Sequence, residues 1–156
     1  GAAPGGPGGP GDGVRTFVRL RPPSESTDIK LFDFLPSRPG VITIKDPLSS
    51  GRCEHSYEFT GVCGVDFDQE QVFQMVASPI LDGALAGRNG CVLAYGQTGS
   101  GKTFSVFGEG AGERRGMLPR AAERIFAQAK GVGASVSFLE VYNDQVRDLG
   151  AEAPPA

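Results

Sequence analysis

Residues 91–108 read CVLAYGQTGSGKTFSVFG: a compact apolar run, a loop with glycine at 96, 99 and 101, and then a segment of helical character. Within it Gly96–Thr103 (GQTGSGKT) satisfies G-x-x-x-x-G-K-[ST], the phosphate-binding loop. Each part of that pattern has a physical task. The glycines let the backbone turn its N–H groups toward phosphate oxygens, and the following helix offers its positive N-terminal end to the same anion. Lys102 brings a full positive charge to the β- and γ-phosphates, and the Thr103 hydroxyl is placed to ligate Mg²⁺. A plain glycine linker is the competing explanation, and the pattern arises by chance in on the order of one chain in a hundred of this composition. The apolar strand-like run Cys91–Tyr95 before it and the helix after it favour the phosphate site.

Working outward, Asp68 followed three residues later by Gln71 resembles a helix start. Apolar pairs at Val72-Phe73, Val76-Ala77, Ile80-Leu81 and Ala84-Leu85 then recur at helical spacing. Pro79 lies inside this pattern and is expected to kink it, with the end at Gly87 or Asn89-Gly90. Alternation predicts strands over Val14–Leu20, closed by Pro22 and Pro23, and over Ser56–Val62, with Tyr57 and Phe59 on one side. Two short β-like runs, Lys30–Leu35 and Val41–Ile44, read as a peripheral hairpin or small lobe. Downstream, Gly108–Gly116 has loop composition. Pro119 suits a first helical turn, and Ala122, Ile125, Phe126 and Ala129 make an amphipathic helix closed by Gly131. Ala134–Tyr142 reads as a last strand. Strands alternating with helices imply an α/β layer fold. The organisation expected is a flexible Gly/Pro leader over 1–13, one folded unit over 14–150 and a flexible tail over 151–156.

Composition narrows the function. The 156 residues carry 15 Lys and Arg against 18 Asp and Glu, a net charge of −3, so the basic excess of a dedicated nucleic-acid binder is missing. No apolar run approaches the roughly 20 residues that span a bilayer, so no membrane role is expected. Cys53, Cys63 and Cys91 form no C-x-x-C pair, and their odd number suits a reducing compartment better than a disulfide framework. The single histidine, His55, leaves no zinc constellation and makes a Ser-His-Asp site a coincidence. Among weaker candidates, Arg15, Arg19 and Arg21 read as a solvated strand end, Arg114 and Arg115 as exposed loop charges, and Glu140 as a remote alternative for holding Mg²⁺ through water.

Four ordered pieces carry a resemblance: VRLRPP (18–23), LAYGQTGSGKTFSVFG (93–108), GMLPRA (116–121) and SFLEVYNDQVRDL (137–149). Together they resemble the N-terminal half of a kinesin motor head. The resemblance implies a P-loop NTPase-type three-layer α-β-α fold, here incomplete, with a mostly parallel central sheet flanked by helices. It places the family's R-x-R-P motif on Arg19, Leu20, Arg21 and Pro22, beside the adenine, with the Phe104 ring on the other side of the base. The ATP-binding set it implies is Arg19, Arg21, Pro22, Gly96, Gln97, Thr98, Gly99, Ser100, Gly101, Lys102, Thr103 and Phe104, with Mg²⁺ on Thr103. Glu109–Arg115 corresponds to the family's variable loop, and the 137–149 segment to a mainly structural one, which counts against Glu140.

The resemblance also implies function. The cofactors would be ATP and Mg²⁺, the partner microtubules, and the setting the cytoplasm and cytoskeleton, with cilium or flagellum as a further option. The Ile29–Arg52 segment, with Ser56–Phe59, is more similar to the ciliary kinesin-nine group than to conventional kinesin. Neither family switch, N-x-x-S-S-R-S-H or D-x-x-G-S-E, occurs in this sequence. Phosphoryl transfer depends on positioning and charge stabilisation, of which Lys102 and Thr103 supply only part. The expectation is therefore the front half of a microtubule-based motor ATPase, holding nucleotide here and hydrolysing it in the complete protein. Such a piece would leave apolar surface and strand edges uncovered along the cut through its sheet. The alternatives are a non-hydrolysing regulatory or structural microtubule-associated module and, more remotely, a small-molecule phosphotransferase.

Overall fold

A computed structural model describes residues 13–22, 32–33, 37–45, 54–128, 131 and 133–150. Most of the expected leader and all of the tail lie outside these residues, as does Cys53. Strand β1 (Phe17–Arg19) pairs in parallel with β5 (Gly61–Cys63), matching Phe17 to Gly61 and Arg19 to Cys63. Backbone bonds from Thr60 to Thr16 (2.7 Å) and from Leu20 to Cys63 (2.9 Å) lengthen that ladder at both ends. It thus covers most of the 14–20 run.

The expected peripheral hairpin is present as a three-stranded antiparallel sheet of β2 (Phe32–Asp33), β3 (Val41–Lys45) and β4 (Glu54–Glu58), in the order β2-β3-β4. The single strand expected over 56–62 is in fact two, because the chain changes sheets at Phe59-Thr60. Gly40 makes the crossing possible. Its carbonyl accepts the Phe59 N–H at 2.8 Å, and a side chain there would collide with the Phe59 carbonyl. Alternation alone does not reveal which neighbour each half of a run will pair with.

The helical run begins where expected. Asp68 accepts the Gln71 N–H at 2.7 Å and Gln71 Oε1 accepts the Asp68 N–H at 3.0 Å, a closed capping box at the start of α1 (Gln69–Val72). A π-helical turn over Phe73–Ala77 joins α1 to α2 (Ser78–Leu85). At Pro79 the structure shows a widened turn: the Ser78 N–H reaches back five residues to Phe73 O, and Pro79, which has no N–H to donate, then sits in the first turn of α2. The chain leaves the helix through Gly87 at φ +83°.

Helix α3 (Lys102–Val106) follows the glycine loop, and α4 (Met117–Gln128) carries Pro119 in its first turn. Cys63 from β5, Val72, Phe73, Ala77 and Leu81 from the α1–α2 run, and Met117 from α4 form the buried core, with Val106, Ala121 and Ile125 packed against it. Two arginines one turn apart fasten α4 to the α1–α2 run: Arg120 pairs with Glu70, and Arg124 pairs with Asp82 and donates to Ser78 Oγ.

Two expected strands are corrected. Cys91–Tyr95 forms no ladder among the described residues, and Leu93 and Tyr95 are 85% and 97% exposed. Of Ala134–Tyr142 only Leu139–Tyr142 (β6) is paired, with β7 (Gln145–Asp148), through a two-residue turn in which Asn143 and Asp144 take φ +49° and +58°. The physical reason is common to both. A run becomes a strand only beside a neighbour that satisfies its backbone groups, and among the described residues none pairs with Cys91–Tyr95 or with 134–137. Parallel pairing among the described residues is therefore confined to β1–β5. Leu139, Val141, Tyr142 and Val146 are exposed.

Candidate nucleotide site

Gly99 and Gly101 adopt φ +79° and +98°, a left-handed backbone that side chains disfavour, and the space where their Cβ atoms would lie is open. Gly101 caps α3, whose first ladder bond runs from Ser105 N–H to Gly101 O at 2.9 Å. The chain thus turns from loop to helix in one residue, placing Lys102 and Thr103 at the helix mouth. The Lys102 ammonium is folded onto its own loop, donating to Gly96 O and Gln97 O at 2.8 Å each. Thr103 is exposed.

Arg21, two residues beyond β1, reaches across the fold and donates to Gly99 O at 2.5 Å. Between it and the loop lies an open cleft of 330 Å³ lined by Arg21, Gly99, Gly101, Lys102 and Thr103. Gln97, Thr98 and Ser100 form the turn above the cleft, with Ser100 N–H bonded to Gln97 O, and Pro22 is exposed beside Arg21. Two cations, a hydroxyl and a glycine backbone with nothing in front of it are a donor set suited to a polyphosphate and its metal.

The adjoining region is more tightly built. The Arg19 guanidinium donates to Gln69 Oε1 at 2.8 Å and Ser105 Oγ at 2.9 Å and lies 5.1 Å from the centre of the Phe104 ring. Burial is the main influence lowering its pKa from the usual arginine range, with the Cys63 thiol pulling the other way. Burial likewise raises the Cys63 thiol, against the opposing charge of Arg19. Arg19 keeps its charge, because arginine does not deprotonate in proteins.

Gln69, which the sequence reading did not single out, is the hub of this region. It is only 4% exposed, and besides accepting from Arg19 its Nε2 donates to Phe104 O at 2.7 Å and Arg114 O at 3.2 Å. The signal for it was available: Gln69, Val72 and Phe73 fall on one helix stripe, so a polar amide stands in an apolar row. A second arginine, Arg114, lies over the same Phe104 ring at 5.5 Å and pairs with Glu109. Arg115 pairs with Glu123. Glu140 sits on exposed β6, 3.7 Å from Arg147 of the neighbouring strand; nothing about its surroundings recommends it for Mg²⁺.

Residues 19–154 match the sequence signature of the kinesin motor domain. The chain belongs to the kinesin motor domain family. Human kinesin-like protein KIF15 is 35% identical to it over 92% of this chain, and KIN-12B of Arabidopsis thaliana 34% identical over 88%. Kinesin-like protein KLP1 of Chlamydomonas reinhardtii is 36% identical over 90%. The chain spans 11% of the first two relatives and 19% of the third. Names this varied identify the kinesin family without selecting a subgroup. As a kinesin motor sequence the chain has the P-loop NTPase α/β fold, and its described residues contribute one parallel strand pair, the helices packed on it and the glycine loop.

Proposed function

We propose that this chain binds ATP with Mg²⁺ through Gly96–Thr103, and that the protein it forms couples ATP hydrolysis to movement along microtubules in the cytoplasm. The observation carrying this reading is the open cleft at Gly99–Thr103, lined by Lys102, Thr103 and Arg21, in a chain of the kinesin motor family. The loop amides and Lys102 would hold the phosphates, and Lys102 must first exchange the carbonyls of Gly96 and Gln97 for phosphate oxygens. Thr103 Oγ1 would hold Mg²⁺, which supplies charge neutralisation between the phosphates. Arg19, Pro22 and Phe104 would border the base, and Arg21, bonded to Gly99 O, would face the phosphates. Microtubules would be engaged by segments other than this one. No helix among the described residues is long and apolar enough to cross a membrane.

The deciding experiment measures phosphate release by the full-length protein with and without microtubules. Stimulated turnover is the expected result. Nucleotide binding without turnover in either condition would replace the motor reading with that of a non-hydrolysing, microtubule-associated module.

The metal's place is tested separately. Thr103→Ala is expected to keep most of the ATP affinity seen in chelator and to lose most of the gain that added Mg²⁺ gives the unmodified protein. An equal Mg²⁺ gain in both proteins, measured by calorimetric titration, would remove Thr103 from the metal site.

A further inference from the structure

The geometry points to Arg114 as a competitor of the nucleotide base for the Phe104 ring, so that this one side chain sets how tightly the base is held. The inference rests on the proposed nucleotide site. Two guanidinium groups lie over that half-buried ring, Arg19 at 5.1 Å and Arg114 at 5.5 Å from its centre. They are held very differently. Arg19 is tied by Gln69 Oε1 and Ser105 Oγ in a part-buried setting, and cannot leave without breaking both bonds. The Arg114 side chain is 65% exposed, and it meets Glu109, itself 64% exposed, and the ring.

The backbone beneath Arg114 is nevertheless fixed. Arg114 O accepts from Gln69 Nε2 at 3.2 Å and from Glu109 N–H at 3.0 Å, and Gly116 N–H donates to Phe107 O at 2.9 Å. Gly108, at φ +80°, lies so close to Arg114 O that any side chain there would collide with it. A fixed backbone carrying a loosely held cationic side chain makes a strap that moves only at its tip. The tip covers the ring, and a base stacking on the ring must displace it into solvent. Phosphate binding alone does not require that displacement.

Calorimetric titration of the full-length protein with ATP and with inorganic tripolyphosphate, which has the phosphates but no base, separates the possibilities. Arg114→Ala is expected to tighten ATP by about two- to fivefold, the range of an exposed cation–π contact, and to leave tripolyphosphate unchanged. Arg114→Lys, which keeps a cation over the ring, should stay near the unmodified affinity. An Arg114→Ala affinity for ATP that is unchanged or weaker would overturn the competition. Phe104→Ala reports on the underlying reading: it should weaken ATP but not tripolyphosphate, and should remove any advantage of Arg114→Ala. If Phe104→Ala leaves ATP binding untouched, the base lies elsewhere and the adenine site falls with this inference. If Phe104→Ala weakens ATP while Arg114→Ala does not tighten it, only the inference falls.

Discussion

Lys102→Ala is expected to abolish ATP binding at concentrations that saturate the unmodified protein. The ammonium is the one full charge carried by the loop itself, and its proposed partners are the β- and γ-phosphates. Truncating one member of such a charge pair costs about 3 to 5 kcal/mol, roughly a hundred- to several-thousandfold in affinity. A smaller effect runs the other way. Lys102 bonds the carbonyls of Gly96 and Gln97, so the unmodified protein gives up those bonds on binding phosphate and the variant does not. Water replaces such partly exposed bonds at a net cost of about 1 kcal/mol each, and phosphate oxygens repay it. The binding loss therefore dominates. Lys102 takes no part in the buried core, so the variant should unfold within a few degrees of the original. ATP affinity within threefold of the unmodified protein, in a variant that unfolds normally, would remove the phosphate assignment altogether.

The parts of this chain that could be read in advance are those whose chemistry is local. The loop at 96–103 is a backbone motif specified by its own glycines, and the structure places Gly99 and Gly101 in the left-handed conformation such a loop demands. The capping box of Asp68 and Gln71 closes over three residues, and Pro119 selects a helix start through its own ring. What could not be read depends on residues far apart. Cys91–Tyr95 has the composition of a buried strand, yet a strand is a relation between segments, and no described segment lies beside it. Alternation over Ser56–Val62 specifies strand but not two strands, because the switch at Phe59-Thr60 is set by Gly40, about twenty residues earlier. The β7 segment Gln145–Asp148 is mostly polar and carries little strand signal of its own; the Asn143-Asp144 turn is the local signal for it.

The candidate site divides along the same line. Its proposed phosphate end lies within one eight-residue loop and is legible from that loop alone. Its proposed base end is a tertiary construction in which Arg19, Gln69, Phe104, Ser105 and Arg114 come from four separate places in the chain. Arg19 and Phe104 were named through resemblance, whereas Gln69 and the contact of Arg114 with the ring required the fold. The family's R-x-R-P motif shows a division of labour here. Arg19 is turned inward and joins Gln69, Ser105 and the Phe104 ring, while Arg21 is turned to the glycine loop through Gly99 O.

That inward assembly makes Gln69 the residue whose loss should be felt most in the fold around the site. Gln69→Leu keeps the volume and the helix propensity but removes two donors and one acceptor from a position 4% exposed. Phe104 O and Arg114 O each lose their Nε2 partner, and Arg19 keeps only Ser105 Oγ of its two side-chain acceptors. Arg114 O still receives the Glu109 N–H, so its loss is partial. An orphaned buried polar group costs about 1 to 3 kcal/mol, so the sum expected is about 2 to 4 kcal/mol, after the gain from burying an apolar side chain on an already apolar stripe. Gln69→Glu separates the contributions. It restores the acceptor for Arg19 with added charge but sets a carboxylate oxygen against two carbonyl oxygens, so it should recover little of the loss if the donors matter most. Hydrogen exchange locates the damage: the amides of Glu109 and Gly116, bonded to Arg114 O and Phe107 O, should lose protection in Gln69→Leu while the β1–β5 ladder keeps its own. Protection at those two amides equal to that of the unmodified protein, with stability changed by less than about 0.5 kcal/mol, the ordinary range for a surface substitution, would show that Gln69 fills space rather than joins the two halves of the site.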